Sequence, residues 1–295
     1  MKTAAAFLLC LALLAPASPL HAQIHTAQGS LAGEVTPDSV LLQTRLTAIP
    51  GPELDANGDV PGAAGVVGCE YGESADFQDA KRTAWERAEA ARDFIARFEI
   101  TGLKPGTLYH YRPLFGADEA AAKPGAPGSF KTLPGPDSAA PVSFVMGSCM
   151  NYIKFMHGKA GKASGPVTAT DEDKRLGFPS FAAMKALQPD FFVGTGDIVY
   201  YDNIFHGPAQ TLPELRQCWH EQFRFPRMIE LFATAPTYWS KDDHDFRFND
   251  SDNEGSTRPL PATGIELFRE QMPILPMGEK ERPTYRTHRV NKDLQ

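Results

Sequence analysis

Apolar and polar positions alternate in short runs between Ser30 and Thr132: DSVLLQTRL, AAGVVGCEYG, FIARFEI, TLYHYRPLF and SFKTL, each bounded by turn-forming residues. A period of two places one face of a strand in a core and the other toward water, and regularly spaced short strands with Gly/Pro turns predict a β-sandwich. In GLKPGTLYHY (Gly102–Tyr111) a turn ending in Pro-Gly-Thr runs into alternating aromatics, which sets Tyr109 at a tyrosine corner. Asp79–Asp93 reads both ways, because its alanines and charges favour helix while the surrounding sandwich favours strand.

The pattern changes after LPGPDSAAP (Leu133–Pro141), which supplies a Pro/Gly/Ser linker at 134–141. VSFVMG and DFFVGTG are continuous apolar runs ending in Gly, expected to be strands buried on both faces that deliver loops at their C-terminal ends. FPSFAAMKAL between them has helical spacing, LPELRQCWHEQFRFPRMIELFA reads as helices, and PTYWS is a third strand, so an α/β layer fold follows. PTYRTHRVNKDLQ at the end looks like a further strand. GKAGKASG, in a Gly/Lys/Ser/Thr-rich loop, fails the phosphate-loop pattern in spacing and in its last residue.

Composition narrows the class. A chain of 295 residues with net charge −7 and no long Lys/Arg run lacks a nucleic-acid-binding surface. MKTAAAFLLCLALLAPASPLHAQ has a positive start, a short apolar stretch and small residues, and reads as a signal peptide (residues 1–22) cut near Ala22. The expected location is periplasmic or secreted, with no membrane span in the mature chain. Nothing in the sequence sets an oligomeric state. Export leaves Cys69, Cys149 and Cys218, an odd number in an oxidising compartment. One reading pairs two of them; another leaves a buried thiol or an occupied one.

The densest chemistry is KDDHDFRFNDSDN (Lys241–Asn253), with five aspartates, two asparagines and a histidine directly after PTYWS. Carboxylates beside a core repel one another and lose hydration, so the stretch needs a cationic partner. Three predicted strand ends carry unusual residues: Ser148-Cys149, Gly196-Asp197-Ile198-Val199-Tyr200 and Asp242-Asp243-His244-Asp245. Side chains at the carboxyl ends of neighbouring strands converge on one crevice. Thiol, phenol, carboxylate and imidazole together form a metal-ligand set.

On GSC (147–149), PDFFVGTGDIVYYDN (189–203), YWSKDDHDFRFND (238–250) and, more loosely, FREQMPILP (268–276), the chain resembles the alkaline phosphatase D (PhoD-like) family of exported metallophosphoesterases. The resemblance implies an α/β fold: a fibronectin-III-like β-sandwich over 23–133, then an incomplete four-layer α/β/β/α metallophosphoesterase domain over 142–295. It implies metal-dependent hydrolysis of phosphate-ester small molecules or phosphodiesters, with ferric iron and calcium, or another divalent metal, in the site. Carried over residue by residue, Cys149 is the iron thiolate ligand, Asp197 the bridging carboxylate and Tyr200 the iron phenolate. Asp243 and Asn249 are oxygen ligands suited to calcium, and His244 is the catalytic histidine near the phosphate. A free phenol titrates near a pKa of about 10 and a thiol near about 8.5, so a strongly acidic cation such as ferric iron is needed to hold both deprotonated. His157, His206, His220 and His288 carry no motif and read as surface or packing residues.

The family's further histidine ligands have no counterpart in this sequence. The expectation is therefore of a C-terminally truncated form, poorly soluble and nearly inactive alone, with a sheet edge left unpaired. Two other readings stand beside the phosphatase. One is an exported calcium-binding or adhesion module, since Asp250, Asp252, Glu254 and Gly255 mimic the start of an EF-hand loop, although Pro261 falls where the bidentate glutamate belongs. The other is a phospholipase-type phosphodiesterase on the same scaffold.

Overall fold

The computed structural model describes residues 23–158, 169–202, 207–274 and 284–295. The leader at 1–22, most of GKAGKASG, Asn203, His206 and the end of FREQMPILP lie outside them. The alternating region forms β1 (Ser30–Gly33), β2 (Ser39–Arg45), β3 (Gly65–Gly72), β4 (Lys81–Arg82), β5 (Glu86–Ala88), β6 (Ile95–Thr101), β7 (Leu108–Gly116), β8 (Lys123–Pro124) and β9 (Gly128–Lys131). The lysine 104 N–H donates to the Tyr109 hydroxyl at 3.0 Å, which closes the tyrosine corner read from the sequence. The ambiguous Asp79–Asp93 segment resolves as β4 and β5, both paired with β3, followed by a 3-10 turn at Ala90–Arg92. Pairing with β3 overrides the helical propensity of its alanines.

After the linker come β10 (Phe144–Gly147), α1 (Tyr152–His157), α2 (Asp171–Leu176), α3 (Pro179–Ala186), β11 (Phe191–Thr195), α4 (Leu212–Phe223), α5 (Pro226–Phe232), β12 (Thr237–Ser240) and α6 (Pro261–Gln271). Proline in the first turn starts α3, α4, α5 and α6, where its missing N–H costs no hydrogen bond. The Glu214 carboxylate accepts the N–H groups of Gln210 and Thr211 at 2.9 Å and so closes the start of α4.

One sheet runs through both halves of the sequence, in the order β10-β11-β12-β1-β2-β6. β10, β11 and β12 are parallel, β1 joins β12 in parallel through Gly33 and Thr237, and β2 and β6 continue antiparallel. The second sheet, built on β3 and β7, is antiparallel throughout. Alternation sorts the cores. Phe192 and Trp239 point into a cluster with Phe181, Trp219, Phe223 and Phe232 of the helices, while Phe191 and Tyr238 point into the cluster that holds Val40, Leu42, Val67 and Phe130. Helices, shared sheet and second sheet therefore make three stacked layers. Gly194 belongs to this packing, since a Cβ there would lie 2.1 Å from the Trp239 ring.

Two expectations need correction. β10 is not buried on both faces: it is the edge strand, and Phe144 and Met146 are 43% and 57% exposed. Residues 284–295 form no strand. Their side chains are used otherwise: the Arg286 guanidinium grips the buried Glu34 carboxylate at 2.6 and 3.0 Å and also donates to the Trp239 carbonyl. His288 packs its ring on Tyr238, 4.8 Å between centres. No described helix is long and apolar enough to cross a membrane.

Candidate metal centre

The three parallel strands end side by side. Gly147 pairs with Gly194 and Thr195 with Ser240, so the loops that follow begin at one rim of the sheet. Gly196, with φ of 98°, lets two of them close up, because a Cβ on it would lie 2.5 Å from that of Asp242. Cys149 and Asp197 both hold left-handed backbone, with φ of 57° and 52°. Such conformations are costly for residues with a Cβ, and they cluster where side chains must be aimed.

These turns bring the predicted residues together. The Cys149 Sγ lies 3.4 Å from Asp197 Oδ2, and the Tyr200 hydroxyl donates to that same oxygen at 2.9 Å. Asp197 Oδ1 is buried with no hydrogen-bond partner. Ligand atoms of Asp197, Asp243 and His244 all lie within 4.8 Å of one another. Burial first, then the hydrogen bond to Asp197 and its charge, push the Tyr200 phenol far above its ordinary pKa. Without a cation the phenol stays protonated. Cys149 is exposed and forms no disulfide, and Cys69 and Cys218 are likewise free but buried. The Asn249 N–H donates to Asp202 at 2.9 Å and its side-chain amide to Asp250 at 2.5 Å.

Two residues without an assigned role in the sequence prove central. His244 Nδ1 is 2.8 Å from Asp202 Oδ1, which leaves Nε2 as the ring nitrogen with no hydrogen bond to a described residue, and the ring lies 4.1 Å from that of Tyr200. Burial alone would lower the His244 pKa; the Asp202 hydrogen bond and the charges of Asp202, Asp197 and Asp243 overcome it and raise the value. Burial opposes the Asp202 charge too, but the His244 contact and the Asn249 N–H hold that carboxyl below its usual range. Asp245 is fully buried and accepts the Ile198 N–H at 3.1 Å and the Asp242 N–H at 2.6 Å, one from each loop. Burial pushes its carboxyl up to about 7 against the pull of both donors. Asp202 ends the GDIVYYD run and Asp245 sits in DDHD, so the motifs contained both; spacing alone did not separate them from their neighbours.

The donor set fits a cation. An orphan carboxylate oxygen, a second carboxylate, an imidazole, a phenol and a thiol meet at one rim, with no cationic Lys or Arg side chain hydrogen-bonded to Asp197 or Asp243 among the described residues.

Comparison with known proteins agrees with this geometry. The family model described as "PhoD-like phosphatase, N-terminal domain" matches residues 14–134. A solved structure of PhoD superposes with a TM-score of 0.65 at 24% identity, covering 91% of this chain and 50% of that one. The purple acid phosphatase PPD1 from yellow lupin (Lupinus luteus) seeds superposes with a TM-score of 0.50 at 14% identity, covering 85% of this chain and 41% of that one. The chain thus spans about half the length of the solved structures whose fold it shares. No curated protein matches its sequence. Residues 14–134 thus match the N-terminal domain of PhoD-like phosphatases, and the chain shares its fold with the solved structures of PhoD and of the lupin purple acid phosphatase.

Proposed function

We propose that the chain carries the centre of a metal-dependent phosphoric ester hydrolase of the alkaline phosphatase D type, acting on monoesters, diesters or both outside the cytoplasm. One observation carries the reading: Cys149, Tyr200, Asp243 and His244, drawn from three strand ends, meet at the Asp197 carboxylate, whose Oδ1 is buried and unpartnered. Cys149, Asp197 and Tyr200 would hold ferric iron, and Asp243 with Asn249 would hold calcium or another divalent cation. Bound there, such cations supply neutralisation of phosphate charge and acidify the attacking water.

The remaining work belongs to the protein. Asp202 takes Nδ1 of His244 and so fixes which ring nitrogen faces the ester. His244 would then present Nε2 to the ester and pass a proton to the leaving oxygen. Asp245 keeps the Asp197 and Asp243 loops in register by accepting an N–H from each. The apolar leader at residues 1–22 supports export. The calcium-module reading loses ground because the carbonyls of Asp252 and Glu254 accept from the Arg247 guanidinium, so the EF-hand-like run is folded around a side chain of the protein itself.

The test is reconstitution of the full chain with ferric iron. Phenolate and thiolate on iron both colour the protein, so the expected result is a visible charge-transfer band whose phenolate part is lost in Tyr200→Phe and which shifts when inorganic phosphate is added. A colourless iron-loaded chain, or a band indifferent to Tyr200 and to phosphate, overturns the reading.

A further inference from the structure

Residues 248–260 run without helix or strand, and 252–258 are exposed throughout, so no apolar core shapes this loop. Its interior is one side chain. Arg247 is 1% exposed, and its guanidinium donates to the carbonyls of Pro259 (2.8 Å), Asp252 (2.7 Å), Glu254 (2.6 Å) and Thr257 (2.7 Å). It also lies 4.7 Å from the centre of the Phe248 ring. These hydrogen bonds go to backbone oxygens and not to carboxylates, so the buried guanidinium is solvated only while the loop stays wrapped around it. A planar group with five N–H donors can gather carbonyls spread over eight residues of chain; an ammonium cannot.

The loop's other end reaches the centre. The Asn249 N–H donates to Asp202 at 2.9 Å, the Asp250 N–H donates to Asp243 Oδ2, and the Ser251 hydroxyl donates to the Asp243 carbonyl at 3.3 Å. Arg247 itself is tied to Asp243 through its backbone N–H, 2.7 Å from the Asp243 carbonyl. We infer that Arg247 is a positioning residue of the centre: by gathering 248–260 it aims the N–H groups of Asn249 and Asp250 at the Asp202 and Asp243 carboxylates, and so orients His244 and the second metal-facing carboxylate. Outer partners of this kind govern ligand orientation around metals generally. The part of the inference that concerns metal rests on the proposed function; the part that concerns the loop does not.

The experiment compares the wild-type chain with Arg247→Met and Arg247→Lys by amide hydrogen exchange and by Co2+ titration followed through its d–d absorption. In both variants the amides of Asn249 and Asp250 should exchange at least about tenfold faster, while sandwich amides of β3 and β7 keep their protection, and Co2+ should bind roughly tenfold more weakly. If the variants do not fold, Arg247→Ala with and without low-millimolar guanidinium replaces them, and restored protection at 249 and 250 is the expected result. Unchanged exchange at Asn249 and Asp250, or lost protection there with unchanged Co2+ affinity, overturns the positioning role. A wild-type chain that does not bind Co2+ counts against the metal reading alone, and the exchange result then decides whether Arg247 sets the loop.

Discussion

Two clusters of charge lie in this molecule, and they are solved in opposite ways. In the first, Asp93, His220, Arg45 and Asp59 meet between β2, β6 and α4. His220 has Asp59 2.7 Å from one ring nitrogen and Asp93 2.7 Å from the other, and Arg45 and Gln271 donate to the remaining Asp93 positions at 3.1 and 2.8 Å. Each carboxylate there has an N–H donor against it: Arg45 and Gln271 on Asp93, and the Val60 N–H on Asp59. At the candidate metal centre, carboxylates, thiol and phenol crowd together, a phenol is held far from ionisation and one buried carboxylate oxygen has no hydrogen-bond partner. The protein completes its structural cluster with its own cations and leaves its chemical cluster short of positive charge. That shortfall, more than the number of acidic residues, marks the functional site.

The comparison can be broken most violently at the closed cluster. Asp93→Ala leaves Arg45 and His220 facing each other in a buried space, and the expected loss is about 3–5 kcal/mol of unfolding free energy, measured by urea denaturation. The open cluster should respond the other way. Asp197→Asn is expected to weaken metal binding by at least about 100-fold, while the chelator-treated variant unfolds no earlier than the wild type in a thermal scan, because it removes an uncompensated charge.

The pH responses should also oppose each other. The Asp93 carboxyl is buried, yet His220 and Arg45 hold it at about 2, below its ordinary 3.8. Its folded value is lower than its unfolded one, so its contribution is present above pH 3.8 and is lost as pH falls toward about 2. That contribution amounts to about 2 kcal/mol, and Asp93→Asn should flatten acid unfolding over this window. His244 has a raised value, so its contribution is complete below the unfolded pKa and is lost as pH rises through the folded one; His244→Gln should remove that alkaline slope in the metal-free chain.

The smallest effect belongs to a residue of neither cluster. Tyr109→Phe removes the acceptor of the Lys104 N–H and should cost about 1 kcal/mol, without altering metal affinity. This residue was also the most legible. Tyr109 and the strands around it follow from alternation and turn chemistry within ten residues of sequence, and β11, β12 and their loops follow from apolar runs ending in Gly or polar clusters. What sequence could not carry was long-range pairing. β1 is four residues long, and nothing local says that it lies against β12 some two hundred positions away and makes one sheet of both halves. The alternation in YRTHRVN invited a strand, but the partner of Arg286 is the buried Glu34, a match that no window of sequence contains. His220 read as a packing residue because its two carboxylates are remote in the chain. The pairing of His244 with Asp202 was hidden for the same reason, although both residues lie in conspicuous motifs.

The claim on which the rest depends is that Asp197 and its neighbours are arranged for a cation the protein does not itself provide. Calorimetric titration of the chelator-treated chain with Zn2+, in parallel with Asp197→Asn and Asp93→Asn, tests it directly. The account predicts saturable, chelator-reversible binding in the wild type and in Asp93→Asn, and none in Asp197→Asn. Equal binding by the wild type and Asp197→Asn, or no binding by a folded wild type, would contradict it.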